Sequence, residues 1–194
     1  MRSFITAILM TLVLTVLTGI IYPFVVYGIA QAIFPWQANG SLVMRDGHVV
    51  GSSLIGQNFA LPRYFHPRPS AAGPNGYDAS NSGGSNLGPT NRKLIEIVQH
   101  QLQRVREQNP GITPHQVPIG MVTSSASGLD PEISPAGAQI QVPRVAKARG
   151  VSQRAVENLV REYTRPRLAG VFGEPGVNVL ELNLALDRLR RGTH

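Results

Sequence analysis

Ser82-Gly83-Gly84-Ser85-Asn86-Leu87-Gly88 is the stretch whose residue types come closest to carrying chemistry. Glycine-rich turns can aim several backbone N–H groups at an anion, and a helix opening behind them adds its positive end. The spacing is not that of the Gly-x-x-x-x-Gly-Lys-Ser/Thr phosphate loop, and no obvious strand precedes it. A phosphate contact and a plain turn before a helix both remain open, with the turn preferred. Asp130 and Glu132 flank Pro131, and paired carboxylates can perform acid–base work. Asp-Pro ahead of a helix is also ordinary turn chemistry, so Asp130 reads as a turn or cap residue. His48, His66, His100, His115 and His194 show no metal-ligand spacing, and a chain with no cysteine is not expected to hold a structural zinc. Neither a Gly-x-Ser-x-Gly elbow nor a Ser-x-x-Lys motif occurs. No catalytic residue and no metal ligand is assigned.

The elements that must position these residues begin with an apolar run. The chain is 42% hydrophobic but only 15% charged, and no charged residue falls between Arg2 and Arg45. Phe4 to Phe34 exceeds the roughly 20 apolar residues needed to cross a bilayer. A cleaved signal peptide would have a shorter apolar centre; Gly28-Ile29-Ala30 could pass as its cleavage site, but the stretch before it is too long. An uncleaved transmembrane anchor is therefore expected. Pro23 predicts a disturbance near Gly19, and Tyr22, Tyr27 and Trp36 are candidate interfacial anchors. Thr11, Thr15 and Thr18 share one helical stripe, which either packs on another membrane helix or faces lipid. Positive charge at Arg2, with the next basic residue at Arg45, predicts a cytoplasmic N-terminus. Everything from about Pro35 onward would then be outside, periplasmic in a Gram-negative cell.

The net charge of +7 and a pI near 10.5 come almost wholly from arginine, since Lys93 and Lys147 are the lysines. An external domain has no access to nucleic acid, so that partner class drops out. The arginine excess reads as a compositional bias.

Asp46-Gly47 between two apolar runs predicts a β-hairpin over 41–55, directly above the bilayer. Gly56 to Asn91 is rich in Pro, Gly, Ser and Asn, the composition of a linker. Phe59, Tyr64, Phe65 and Tyr77 argue instead for an ordered contact loop, because disordered linkers are poor in aromatics. Thr90 offers an N-cap to a helix bearing Leu94, Val98, Leu102 and Val105 on one face and stopped by Asn109-Pro110-Gly111. Val117 to Thr123 predicts a short strand. Ser134-Pro135 predicts a helix running to Gly150 with an irregularity at Pro143, and Ser152 caps another with Val156, Leu159, Val160 and Tyr163 inward. Val177 to Leu189 reads as a strand start closing in a helix. The fold class is α+β: one N-terminal transmembrane helix, then a small mixed α/β extracytoplasmic domain with a short sheet covered by helices. The domain limits are 1–36 and 37–194.

Several runs, in order, carry a resemblance. They are Gly51-Ser52-Ser53-Leu54-Ile55-Gly56-Gln57, Tyr64-Phe65 with Arg68-Pro69-Ser70-Ala71, Ser82 through Asn91, and Ser127-Gly128-Leu129-Asp130-Pro131-Glu132-Ile133-Ser134-Pro135. Arg144-Val145-Ala146 and Val177 through Asp187 complete the set. Together they resemble the KdpC family, the C subunits of the Kdp potassium-transporting ATPase. Ile119-Gly120-Met121 departs from the family pattern, which carries an acidic residue near Gly120.

The resemblance implies a non-catalytic subunit of a high-affinity, ATP-driven potassium importer in the inner membrane. It implies as partners a channel-like potassium-binding subunit, a P-type ATPase subunit and a small single-span subunit. It further implies a role in assembly and as a catalytic chaperone that raises ATP affinity, the Ser-Gly-Gly stretch being compared to the ABC-transporter signature loop. ATP enters by this association alone, and no firmly bound cofactor is expected. Since ATP is cytoplasmic and Ser82 to Asn91 are read as outside, such an effect must work by favouring one pump conformation. The candidate binding or subunit-contact residues are Gln57, Ser82, Gly83, Gly84, Ser85, Asn86, Gly128 and Asp130. Thr11, Thr15 and Thr18 are the candidate helix-packing residues. The alternative class is an autonomous anchored hydrolase or ligand-binding protein using Ser85 or Asp130.

Overall fold

Residues 1–189 are described by the computed structural model; His194 lies outside the described residues. The architecture is mixed helix and antiparallel sheet, in the class the sequence predicts. Contacts divide the chain into two compact units, Met1–Val50 and one that begins at Gly51.

The first unit is dominated by an apolar helix over Arg2–Ile33, 32 residues long, within which an 18-residue window reaches a mean hydropathy of 2.5. At a rise of about 1.5 Å per residue it is about 48 Å long, more than a bilayer core of about 30 Å requires. None of its residues is buried. It is built from α1 (Arg2–Val16), a π-turn at Leu17–Ile21 and α2 (Tyr22–Ile33). Pro23 cannot donate to the carbonyl four residues back, at Gly19, so the widened turn falls where the disturbance is expected. After α3 (Pro35–Ala38), Trp36 Nε1 donates to the Leu42 carbonyl at 3.0 Å. The strands β1 (Leu42–Arg45) and β2 (His48–Ser52) then form the predicted hairpin. Asp46 and Gly47 have φ of 51° and 81°, the pair of positive values a type I′ turn needs.

In the second unit, α4 (Arg92–Gln108) starts one residue later than predicted. Its cap is Asn91, which accepts from Lys93 N–H at 2.9 Å, and not Thr90. Of the apolar face only Val105 is buried. Val117 to Thr123 is not a strand: it follows one 3₁₀ turn at Pro114–Gln116 and forms a second at Ile119–Met121. Pro118 cannot donate to a ladder, yet the apolar character still counts, because Met121 and Val122 are buried. After β3 (Glu132–Ile133), the single helix predicted from Ser134 to Gly150 is two. Ser134 caps α5 (Pro135–Gln139), and Pro143 sits in the first turn of a new helix, α6 (Val142–Arg149), where its missing N–H costs nothing. Gly150, at φ 70°, ends α6.

Ser152 caps α7 (Gln153–Glu162) by accepting from Ala155 N–H at 3.2 Å. The strands β4 (Thr164–Arg165) and β5 (Gly176–Asn178) follow, and β5 runs straight into α8 (Val179–Leu189). The sheet order is β3-β5-β4, all antiparallel, with Ile133 and Thr164 both opposite Val177. Helices cover it around a core of Phe65, Val142, Val145, Val156, Val160, Val177, Leu182 and Leu186. Leu159 and Tyr163 pack against that core from α7. Phe65 belongs to the proline-rich stretch and is fully buried, so that stretch is an ordered loop and not a spacer.

Candidate functional site

A loop without strands must satisfy its buried backbone groups by other means. Here side chains on α6 and α8, or on the residues just before them, do it. Asn183 on α8 accepts from Phe65 N–H at 2.8 Å and donates to the Phe65 carbonyl at 3.0 Å. Gln141, just before α6, binds both backbone groups of His66, at 2.7 and 3.1 Å. Asn178 donates to the Ser53 carbonyl at 2.8 Å. Arg149 reaches the Arg63 carbonyl at 2.7 Å and Asp187 at 2.9 Å, and the Tyr64 hydroxyl meets the same carboxylate at 3.2 Å. Arg144 bonds the Pro62 and Tyr64 carbonyls at 2.6 and 3.0 Å, Gln141 at 2.6 Å and Asn109 at 3.2 Å. Those acceptors are neutral, and burial lowers the Arg144 pKa to about 10.

The loop so held converges on the segment Ser124 to Pro131. Gly83 N–H donates to the Ser127 carbonyl at 2.8 Å, and Ser82 Oγ donates to the same oxygen at 3.0 Å. Ser70 Oγ donates to the Gly128 carbonyl at 2.6 Å, and Gly56 N–H to the Leu129 carbonyl at 2.8 Å. Approach is close enough to exclude side chains. At Gly128, where φ is +67°, a Cβ would stand 2.6 Å from the Gly83 oxygen; at Gly84 it would stand 2.9 Å from the Ala126 oxygen. Gly83 has open space around it.

The structure therefore brings Ser82, Gly83, Gly84 and Gly128 together, with Asp130 on the same segment. Asp130 is fixed by Arg68 at 2.9 Å and by Glu132 N–H at 3.0 Å, the turn role its Asp-Pro context predicts. Glu132 instead pairs with Arg165 at 3.3 Å. Ser85 Oγ accepts from Leu87 N–H at 3.5 Å, and Asn86 is exposed at φ 52°. Gln57 is half-buried beside Gly51, its amide standing where a Gly51 Cβ would be. In α1 and the π-turn, Thr11, Thr15 and Thr18 are exposed, and each donates to the carbonyl four residues back at 2.9, 2.8 and 2.7 Å.

These groups are engaged in structure. Neither Ser82 nor Ser85 has a base within its hydrogen bonds, and the Gly83 N–H is committed to a protein carbonyl. Among the described residues no cluster of three His, Cys, Asp or Glu side chains gathers to hold a metal. A cleft of about 400 Å³ opens nearby, lined in part by His66, Arg68, Tyr77 and Arg104. Burial, reinforced by Arg144, holds the His66 pKa below its usual value, and burial pushes the Tyr77 phenol up. Tyr77 donates its hydroxyl to the Arg68 carbonyl.

Known proteins give the arrangement a context. A model of the KdpC family, described as K+-transporting ATPase, c chain, matches residues 4–188. The chain belongs to the KdpC family. A relative from Koribacter versatilis, named potassium-transporting ATPase KdpC subunit, is 52% identical over 186 residues, covering 96% of this chain and 94% of its own. Relatives of the same name come from Mycobacterium tuberculosis, 53% identical over 188 residues (97% and 99%), and Methylococcus capsulatus, 54% over 184 residues (95% and 96%).

Reasoning from sequence missed the residues that hold the loop: Gln141, Arg144, Arg149, Asn178 and Asn183. A signal was present for three of them. Each amide interrupts an apolar run, as in Leu182-Asn183-Leu184, and a polar side chain on a buried face needs a partner.

Proposed function

We propose that the chain is a non-catalytic, membrane-anchored subunit of an ATP-driven potassium import complex. The observation that carries this is a family match running from residue 4 to residue 188, so that the apolar helix and the loop-built domain fall under one family. The helix over Arg2–Ile33 serves as a single-pass anchor in the inner membrane. Its N-terminus is cytoplasmic, as Arg2 argues, and the domain beyond about residue 37 is periplasmic. Its partners are a channel-like potassium-binding subunit, a P-type ATPase subunit and a small single-span subunit.

The chain assists assembly and raises the ATP affinity of the hydrolysing subunit. A domain on the far side of the membrane from ATP acts only through conformation. If it binds the nucleotide-competent state more tightly, ATP affinity rises by up to the same factor. The loops fastened at Ser124 to Pro131 and at α6 and α8 support this reading, because a rigid contact surface discriminates between conformations of a partner. Co-purification of the tagged chain from detergent-solubilised membranes tests the subunit role: large hydrophobic partners are expected, and recovery of the chain alone refutes it. ATP titration of the complex with and without the chain tests the chaperone role, which an unchanged ATP affinity refutes.

A further inference from the structure

The cleft of about 400 Å³ beside His66 lies between α4 and the loop over 58–77. Gln101, Arg104, Val105 and Gln108 share one side of α4, at spacings of three and four residues, and line it together. The lining contains two arginines, Arg68 and Arg104, and no carboxylate. Their situations differ. Arg68 is committed to Asp130 at 2.9 Å, and Asp130 is outside the lining. Arg104 makes no ion pair and no side-chain hydrogen bond with any described residue. A second uncompensated charge stands beside His66. Arg144 approaches the ring at 3.4 Å, and every acceptor that it uses is neutral. Both guanidinium groups oppose a proton on His66. This wall of the cleft thus carries two positive charges with no anion to balance them, whereas charge withdrawn from water is ordinarily paired.

We propose that this cleft binds a small organic monocarboxylate, held by the Arg104 guanidinium against the apolar surface of Phe59, Val105 and Met121. Nothing in it depends on the subunit reading, which requires no such ligand. The uncompensated arginines select the sign of the ligand, since a cation would meet like charge and no carboxylate. The number of free guanidinium groups selects the head group. One unpaired fork presents parallel N–H donors that match the two oxygens of one carboxylate. A polyphosphate needs several cations, and Arg68 is already bound to Asp130. The volume selects an organic body. It falls within the roughly 300–1,000 Å³ of small-molecule sites, and a bare inorganic anion would leave most of it empty. Asn58, Asn75 and Gln101 also line the cleft, and their carboxamides make no hydrogen bond with described residues. They remain for a polar substituent on that body.

The methionines supply the readout, by methyl-labelled NMR of the full chain in nonionic detergent. Met121 lines the cleft, whereas Met1, Met10 and Met44 belong to the first unit and serve as references. Benzoate is the probe. It should shift the Met121 methyl saturably, with a Kd on the order of 1 mM or tighter, and leave the other three unmoved. Benzamide keeps the ring without the charge, benzylamine reverses the charge, and both should bind about tenfold or more weakly. Arg104→Gln, at an exposed helix position that glutamine suits, should weaken benzoate by about tenfold or more. Arg104→Lys restores the charge without the fork and should recover part of the loss. Arg154→Gln removes an exposed arginine from α7 and should change nothing. Equal binding of benzoate and benzamide, undiminished binding by Arg104→Gln, or no saturable Met121 shift overturns the proposal. Phenyl phosphate binding tighter than benzoate would assign the cleft to phosphate esters and overturn the carboxylate. The shift should persist when the chain is purified together with its partners. Its loss there means that a partner fills the cleft, which overturns the proposal as well.

Discussion

Asn183 supplies Phe65 with both of its backbone hydrogen bonds, accepting one at 2.8 Å and donating the other at 3.0 Å. Phe65 is fully buried and Asn183 is 2% exposed, so no water competes for these groups. One carboxamide thus replaces a neighbouring strand for a loop that has none, and ties that loop to α8.

Asn183→Leu keeps the branching at Cγ, with bulkier ends, and removes both bonds. The Phe65 N–H and carbonyl would be left unpaired in the core, at about 1–3 kcal/mol each. A loss of about 2–6 kcal/mol in unfolding free energy is expected, with amide exchange accelerated across 59–66 and not in α7. Chemical denaturation and hydrogen exchange of the full chain in detergent measure both.

The three glycines of the loop contact should separate by environment. Gly83→Ala faces open space and should stay within about 0.5 kcal/mol of the parent. Gly128→Ala combines a φ of +67° with an approach of 2.6 Å to the Gly83 oxygen, and should cost about 2 kcal/mol or more. Gly84→Ala, whose Cβ would meet the Ala126 oxygen at 2.9 Å, should fall between them. Thermal unfolding ranks the set. Equal effects would mean that the Ser82-to-Ser85 loop does not dock on Ser124 to Pro131.

Features that depend on neighbouring residues were legible in the sequence. Ser134 and Ser152 act as caps, Asp46-Gly47 turns the hairpin, Asp130 closes an Asx turn, and Val177 opens a strand that becomes a helix. Where the reading failed, a partner distant in sequence decided. Val117 to Thr123 has strand-like residues but meets no edge strand, and Pro118 bars it from a ladder. Asn183 lies 118 residues from Phe65, and Gln141 lies 75 from His66. Periodicity marks where an amide breaks an apolar face but not which loop fills its bonds. The aromatics of 56–91 told that the loop packs; they did not tell that α6 and α8 would hold it.

Stability should depend on pH through His66. Its ring is desolvated and faces Arg144 and Arg104, so its folded pKa lies below the ordinary value. Below about pH 6.5 the unfolded chain takes up the proton more readily than the folded one. Stability should therefore fall as pH drops through that value, and level off once the folded pKa is passed. His66→Gln should lower stability at neutral pH yet flatten this part of the profile. An unchanged slope in the variant would assign the dependence to another group.

The threonine stripe can be tested by separating hydroxyl from size. Thr11, Thr15 and Thr18 each donate to a carbonyl of their own helix, so their hydroxyl protons are already satisfied without a partner. What the stripe offers a neighbouring helix is mainly its low profile, because in lipid helices associate through close packing of small side chains. Thr15→Val preserves shape and deletes the hydroxyl; Thr15→Leu keeps the position apolar and fills the stripe. If the stripe packs against a partner helix, Thr15→Val should leave assembly close to the parent. Thr15→Leu should weaken it by about 0.6–2 kcal/mol, the range for packing and hydroxyl contacts between membrane helices. Membrane insertion should be the same in both, since neither introduces a charge. Titrating detergent against the complex and following the loss of the chain measures the difference. Equal retention of the two variants places the stripe against lipid, and a larger loss with valine than with leucine would assign the contact to the hydroxyl.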